Sequence, residues 1–153
     1  MEITNMDGLT VQGLLARTRN ADEAHASRAR IGKLWSDFGS QLAPRMALGA
    51  LSYGVYHHYE SDANGLFDVL VGTDAPMPNA PDAPVLSKVD IVAGAYLVFE
   101  AKGPMPQAVV QAWEGIWRYF ADPHCPHSRA YTTDFERYGA QGQVEVFVGV
   151  LTA

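Results

Sequence analysis

The spacing of apolar residues in the first half of the chain predicts a strand, a helix and two further strands. Residues 9–18 are typical of a strand. Asn20, with Glu23 three positions later, resembles a capping box, which predicts a helix from there to about Gln41. Residues 50–59 and 66–72 are predicted strands around a polar turn. The apolar residues at helical spacing in the predicted helix are Ile31, Leu34, Trp35, Phe38 and Leu42.

A proline-rich stretch, residues 73–87, separates this pattern from a second one and is predicted to be a loop that links two halves of the chain. Gly139–Gly142 lies between the last two apolar stretches and predicts a hairpin. The second half has the same order of elements as the first: a strand at 93–101, a helix at about 106–121, and strands at 130–138 and 143–151.

The two halves also share a local motif. Leu34–Phe38 and Ile116–Phe120 both contain an aliphatic residue, then Trp, two variable residues and Phe. The repeat predicts an α+β fold of duplicated βαββ units with pseudo-twofold symmetry, with a mostly antiparallel sheet, two helices on one face and a cleft between the halves. We expect a single domain over residues 1–153, with halves at roughly 1–72 and 88–153.

The charge distribution argues against nucleic-acid binding by this chain alone. Eleven Lys and Arg residues stand against 17 Asp and Glu residues, which gives a formal net charge of -6. Binding to phosphates requires clustered Lys and Arg, and the sequence contains no basic run.

The location and the need for a cofactor can also be judged from the sequence. The first ten residues lack the basic and apolar regions of a signal peptide, and no apolar stretch approaches the length of a membrane span. We therefore expect a cytoplasmic chain. The segment 124–127 (HCPH) lacks the two separated ligand pairs of a structural zinc site, so we expect no metal and no cofactor.

Three motifs, in this order and spacing, resemble GyrI-like small-molecule-binding domains. They are Tyr53–Tyr59 followed by Phe67–Gly72, then Gly94–Pro104 followed by a Trp-containing helix, and finally Thr133–Tyr138. The resemblance covers almost the whole chain. GyrI-like domains are the effector-binding domains of AraC-type and MerR-type transcription activators, and they also occur as stand-alone proteins, some of them on integron cassettes. The resemblance implies a stand-alone member without the DNA-binding module.

The resemblance further implies that small, often aromatic and cationic compounds bind in a cleft between the halves. Glu136 matches the acidic pocket residue of drug-sensing members, and Tyr53 matches a pocket aromatic on an early strand. Residues 103–108 contain no aromatic residue, where drug sensors can carry pocket aromatics. We therefore expect binding of amphipathic, cationic aromatic compounds by this chain.

The physical chemistry of a buried acid supports this hypothesis. A buried carboxylate that is not neutralised favours a bound cation, and aromatic faces add cation–π attraction. Strand alternation places Glu136 on the same face as Asp134 and Tyr138, opposite Phe135. A solvated surface position for Glu136 is the alternative. The further candidates for lining the cleft, each of which could instead serve core packing, are Trp35, Trp113, Trp117 and Phe99.

Two other functions remain open at this stage. A small-molecule hydrolase would need Glu136 as base or nucleophile and a Tyr hydroxyl such as that of Tyr53 as its partner. A second acid in the pocket, such as Glu100 or Glu114, would strengthen this hypothesis. A protein-binding module, like family members that inhibit gyrase, would use the acidic balance to contact a basic partner. A protein partner or a homodimer is compatible with either function.

Overall fold

The computed structural model describes residues 2–78, 80–139 and 141–152, so Asn79 in the predicted linker and Ala140 in the predicted hairpin turn lie outside it. The helices are α1 (Asn20–Glu23), α2 (Ile31–Gln41) and α3 (Gln107–Ala121), with a short 3-10 helix at Ala43–Arg45. The strands are β1 (Ile3–Met6), β2 (Leu9–Thr18), β3 (Ser52–His57), β4 (Phe67–Thr73), β5 (Ser87–Ile91), β6 (Gly94–Ala101), β7 (Arg129–Tyr138) and β8 (Val144–Val150).

The strands form one curled sheet in the order β1-β6-β8-β7-β3-β4-β2-β5, and every pair of neighbours is antiparallel. Each repeat supplies three consecutive strands of one half of this order, and the repeats meet at the central pair β3 and β7. The amphipathic helices α2 and α3 pack on one face. The predicted α+β fold with duplicated βαββ units and a pseudo-twofold axis is confirmed.

Two strands were not predicted, and each of them joins the half of the sheet that belongs to the other repeat. The strand β1 precedes the first repeat but pairs with β6, and β5 precedes the second repeat but pairs with β2. Only two residues connect β1 to β2, and only two connect β5 to β6. The two short links therefore hold the outer strands of opposite halves together. The predicted linker ends where β5 begins, at Ser87.

The two faces of the sheet carry separate apolar cores. Leu34, Phe38 and Ile116 on the helices pack against strand residues of one face. The opposite face has its own buried cluster, which includes Tyr53 and Phe135, and none of its members lies on a helix. Because the sheet curls and its outer strands are linked, this second face buries its side chains against one another. The direction in which a strand residue points therefore decides whether it faces the helices or this second core.

The helix predicted from Asn20 to Gln41 is interrupted. The single turn α1 ends at Glu23, and α2 starts only at Ile31. The carboxylate of Glu23 accepts hydrogen bonds from the backbone N–H groups of Arg30 and Ile31, at 2.9 and 3.1 Å. Glu23 therefore satisfies free N–H groups at the start of α2, although it lies several residues before that helix. The sequence had instead predicted that Glu23 caps a helix that begins at Asn20. No helix in the described ranges is long and apolar enough to cross a membrane.

Candidate functional site

A cavity of about 910 Å³ lies between α2 and α3, above the central strands β3 and β7. Both repeats contribute to it, so it occupies the predicted cleft between the halves. Its size is within the range of small-molecule sites. The side chains that line it are mostly apolar or aromatic, and they include Ile31, Trp35, Tyr56, Tyr59, Phe67, Val109, Val110, Trp113, Trp117, Arg129, Glu136 and Tyr138.

Glu136 lies at the floor of this cavity with only 1% of its surface exposed. Its Oε2 accepts hydrogen bonds from the Tyr56 hydroxyl at 2.7 Å and from Trp113 Nε1 at 2.8 Å. Its Oε1 accepts one from the Tyr138 hydroxyl at 2.7 Å. The donors come from β3, α3 and β7, so three elements fix the position of the carboxylate.

These donors orient the Glu136 carboxylate, but they do not neutralise it. The ion pairs of the described residues do not include Glu136. Burial raises the pKa of Glu136 above its ordinary value, and the three hydrogen bonds lower it again only in part. Burial, followed by the neighbouring Glu136 charge, also raises the pKa of the Tyr56 and Tyr138 hydroxyls, which therefore stay protonated as donors.

Glu136 and Gly54 are equivalent positions of the two repeats. Gly54 and Glu136 are directly paired on β3 and β7, and they are as far apart in sequence as Trp35 and Trp117. The pseudo-twofold axis therefore passes between Gly54 and Glu136. A Cβ atom at Gly54 would lie 3.0 Å from Trp35 Cζ2 and 3.1 Å from Glu136 Oε1. One repeat supplies the carboxylate, and the other leaves room for it.

Aromatic rings form walls around this carboxylate. The rings of Trp35 and Tyr138 meet edge to face with centroids 4.7 Å apart, and those of Trp113 and Tyr56 do so at 5.1 Å. Trp117 lies one helical turn after Trp113, and their ring centroids are 6.3 Å apart. Its side chain is 40% exposed, so it lies at the mouth of the cavity. Such rings provide both apolar contact area and negatively polarised faces for a ligand.

The cavity unites four of the six residues that the sequence singled out: Glu136, Trp35, Trp113 and Trp117. Tyr53 does not line it. The side chain of Tyr53 belongs to the second core on the opposite face, and its hydroxyl donates to Asp74 at 3.3 Å. Tyr53 therefore cannot act as a hydroxyl partner of Glu136, and the hydroxyls that do meet this carboxylate are those of Tyr56 and Tyr138.

Phe99 also lies outside the cavity lining. It packs on the helix side of the sheet, with its ring centroid 5.9 Å from that of Tyr119. The tyrosines that do meet Glu136 are Tyr56 and Tyr138, which the sequence did not select. Strand alternation already placed Tyr138 on the face of Glu136, and that signal was sufficient to find it. Arg129 and Tyr59, at another part of the cavity wall, had no comparable signal.

The fold places a cavity of small-molecule size between two βαββ repeats. Residues 2–150 match the family described as Cass2, integron-associated effector binding protein. The chain belongs to this family.

Individual proteins are similar to this chain in sequence, in fold or in both. The integron cassette protein VCH_CASS2 from the mobile metagenome of Vibrio cholerae has a similar structure, with a TM-score of 0.88 and 40% identity over 98% of this chain and 95% of that one. YobU of Bacillus subtilis (strain 168), named as a candidate transcriptional regulator, is 31% identical over 97% of this chain and 96% of its own. SAV2435, solved with tetraphenylphosphonium, shares the fold with a TM-score of 0.70 and 18% identity over 98% of this chain and 93% of its own.

Proposed function

We propose that the chain binds small amphipathic, cationic aromatic compounds in the cavity between its two repeats and thereby senses or sequesters them. The observation that carries the proposal is Glu136, a carboxylate buried at the cavity floor without a cationic partner among the described residues. Burial makes an isolated charge costly, and a bound cation removes much of that cost. In this proposal the ligand supplies the positive charge that neutralises the Glu136 carboxylate.

The cavity walls support an aromatic ligand in particular. Trp35, Trp113 and Tyr56 present rings around the Glu136 carboxylate. Each ring face within about 6 Å of a cation adds on the order of 0.5–2 kcal/mol of attraction. Flat or propeller-shaped aromatic groups can pack against these rings in several orientations. The cavity therefore suits a class of lipophilic cations more than one specific compound.

A matched pair of ions tests the proposal. Tetraphenylphosphonium, which SAV2435 binds, and tetraphenylborate both carry four phenyl groups around one central atom, but their charges are opposite. We expect tetraphenylphosphonium to quench the fluorescence of the cavity tryptophans saturably and to bind roughly tenfold or more tightly than tetraphenylborate. Isothermal titration calorimetry provides an independent dissociation constant. Equal responses to both ions, or no saturable response, would contradict the proposal.

The affinity for tetraphenylphosphonium is expected to fall on acidification, and the fall should begin at a pH above 4.5, the ordinary pKa of a Glu side chain. Protonation of Glu136 removes the negative charge, and burial raises its pKa, so the loss begins at higher pH than for an exposed carboxylate. Tetraphenylphosphonium does not titrate. Tyr56 and Tyr138 stay protonated throughout this range, and Trp113 and Trp35 carry no titratable group.

Titrations at a series of pH values, with the folded state checked by circular dichroism, measure this dependence. Below the raised pKa, the dissociation constant is expected to increase by up to about tenfold per pH unit. Glu114→Gln, at the mouth of the cavity, is the control and should keep the same profile. If the dissociation constant stays constant down to pH 4.5, or if Glu114→Gln abolishes its dependence on pH, the cation binds at a carboxylate other than Glu136.

A further inference from the structure

One part of the cavity wall already contains a cation, which belongs to the chain itself. The Arg129 side chain lines the cavity and is only 5% exposed. Its Nη2 donates to Asp134 Oδ2 at 2.7 Å. The central carbon of its guanidinium lies 4.4 Å from the ring centroid of Tyr131 and 5.9 Å from those of Tyr59 and Trp113. The guanidinium is therefore surrounded by three aromatic rings and bound to a carboxylate.

The surroundings of Asp134 resemble those of Glu136. Asp134 is fully buried, lies two residues before Glu136 on β7, and accepts hydrogen bonds from the Tyr59 hydroxyl and from the Gly149 N–H at 2.8 Å. Both carboxylates thus combine burial, tyrosine donors and nearby aromatic faces. Trp113 takes part in both places, since its Nε1 donates to Glu136 and its ring faces Arg129. The difference is that Asp134 is paired with Arg129, whereas Glu136 has no cationic partner in the part of the chain that the structure describes.

An irregularity of β7 brings Arg129 to this position. The pairing with β8 shifts between Arg129 and Asp134, so five steps along β7 correspond to two along β8. Within this bulge Tyr131 adopts a left-handed backbone conformation with φ of 53°, which is uncommon for a residue other than glycine. Bulges redirect side chains, and this one places the Tyr131 ring against the Arg129 guanidinium. The irregular backbone thus completes the aromatic enclosure.

The hydrogen bonding of Arg129 is incomplete. Its Nε is buried and has no hydrogen-bond partner within the described ranges. The guanidinium is therefore retained by one carboxylate and by ring faces, which are also the groups that bind free cations in aromatic enclosures.

We propose that Asp134, Tyr59, Tyr131 and Trp113 form a second cation site, which Arg129 fills from within the chain. Arg129 is then a specificity-determining residue, because it prevents an external cation from binding at Asp134 and leaves Glu136 as the buried carboxylate at the cavity floor that a ligand can reach. When Arg129 is removed, the vacated site accepts a guanidinium or alkylguanidinium ion. The specificity role of Arg129 rests on the proposed function, whereas the second cation site at Asp134 does not depend on cation binding at Glu136.

The variant Arg129→Ala tests the proposal with methylguanidinium as the probe. We expect methylguanidinium at millimolar concentration to bind this variant saturably and to raise its Tm, and to do neither with the wild-type chain. Methylurea, the uncharged analogue of the same shape, should have no such effect. Arg137→Ala is the matched control, because Arg137 also pairs with a carboxylate and lies over an aromatic ring but does not line the cavity.

Two double variants identify the site. Adding Asp134→Asn to Arg129→Ala should abolish the response to methylguanidinium, whereas adding Glu136→Gln should leave it intact, which separates this proposal from the proposed function. If Arg129→Ala does not fold alone, recovery of its near-ultraviolet circular dichroism on refolding with methylguanidinium, but not with methylurea, is the expected result. The proposal is overturned if neither recovery nor saturable binding is seen, or if Arg137→Ala responds equally.

Discussion

Replacing Glu136 by Gln is expected to weaken tetraphenylphosphonium binding by about 30- to 1000-fold, which corresponds to about 2–4 kcal/mol. The substitution keeps the size of the side chain and an acceptor oxygen but removes the charge that the cation would neutralise. Because the carboxylate is buried, little solvent screens its attraction for a bound cation. Calorimetric titration of both proteins in the same buffer measures the effect.

The same substitution at Glu114, at the mouth of the cavity, is the control for a general effect of charge. Glu114 is exposed, so Glu114→Gln should change the dissociation constant by less than about tenfold. If the two variants lose affinity equally, attraction by the net charge of the chain explains the binding better than a specific carboxylate. If neither loses affinity, Glu136 has no role in cation binding.

Loss of stability should not account for the effect at Glu136. Its raised pKa means that the native state holds this proton more tightly than the unfolded state, so the stability contributed by the group falls as pH rises from 4.5 through the native pKa. Wherever Glu136 is ionised, its buried carboxylate is therefore an unfavourable charge in the ligand-free chain. Glu136→Gln removes it, and urea unfolding should show a variant at least as stable as the wild type.

The variant Asp134→Ala is expected to lower the free energy of unfolding by about 3–5 kcal/mol, because it leaves the Arg129 guanidinium buried without its counter-ion. The Tyr59 hydroxyl and the Gly149 N–H lose their acceptor as well. Urea unfolding followed by circular dichroism measures the change. A constant m-value would show that the compactness of the two end states is unchanged.

Glu145→Ala offers a direct comparison, since it breaks the pair between Arg137 and Glu145, whose side chains are 31% and 32% exposed. Water solvates what remains of this pair, so we expect a loss of only about 0–1 kcal/mol. Comparing Asp134→Ala with Glu145→Ala tests whether burial of the ion pair causes the larger loss in the free energy of unfolding. Similar losses in both would show that the Arg129–Asp134 pair is not held in a dry environment.

Local patterns in the sequence were sufficient for the central elements of the fold. The helical spacing of Leu34 and Phe38, and the matching motif at Ile116–Phe120, indicated the helices and the duplication, because a helix must bury one face wherever it packs. The strands β1 and β5 gave no such signal. They are four and five residues long and are stabilised by pairing with the opposite half, which a local pattern cannot show.

Local patterns in the sequence likewise identified some residues of the candidate site and missed others. Strand alternation placed Glu136 and Tyr138 on one face, and Trp35, Trp113 and Trp117 were selected for their positions on apolar helix faces. The resemblance that selected Tyr53 did not distinguish the two faces of β3, and the curled sheet buries Tyr53 in the second core. Arg129 escaped notice because the bulge in β7 interrupts the alternation on which the prediction depended.

The sequence by itself determined the repeat, its helices and central strands, and the placing of Glu136 on the same face of its strand as Asp134 and Tyr138. Only the tertiary structure decided that Glu136 lies opposite Gly54 without a cationic partner in the described ranges, while its neighbour Asp134 is paired with Arg129. The physical reason is that a periodic pattern fixes which way a side chain points. Whether a charge is neutralised depends on groups that the fold brings together from distant parts of the chain.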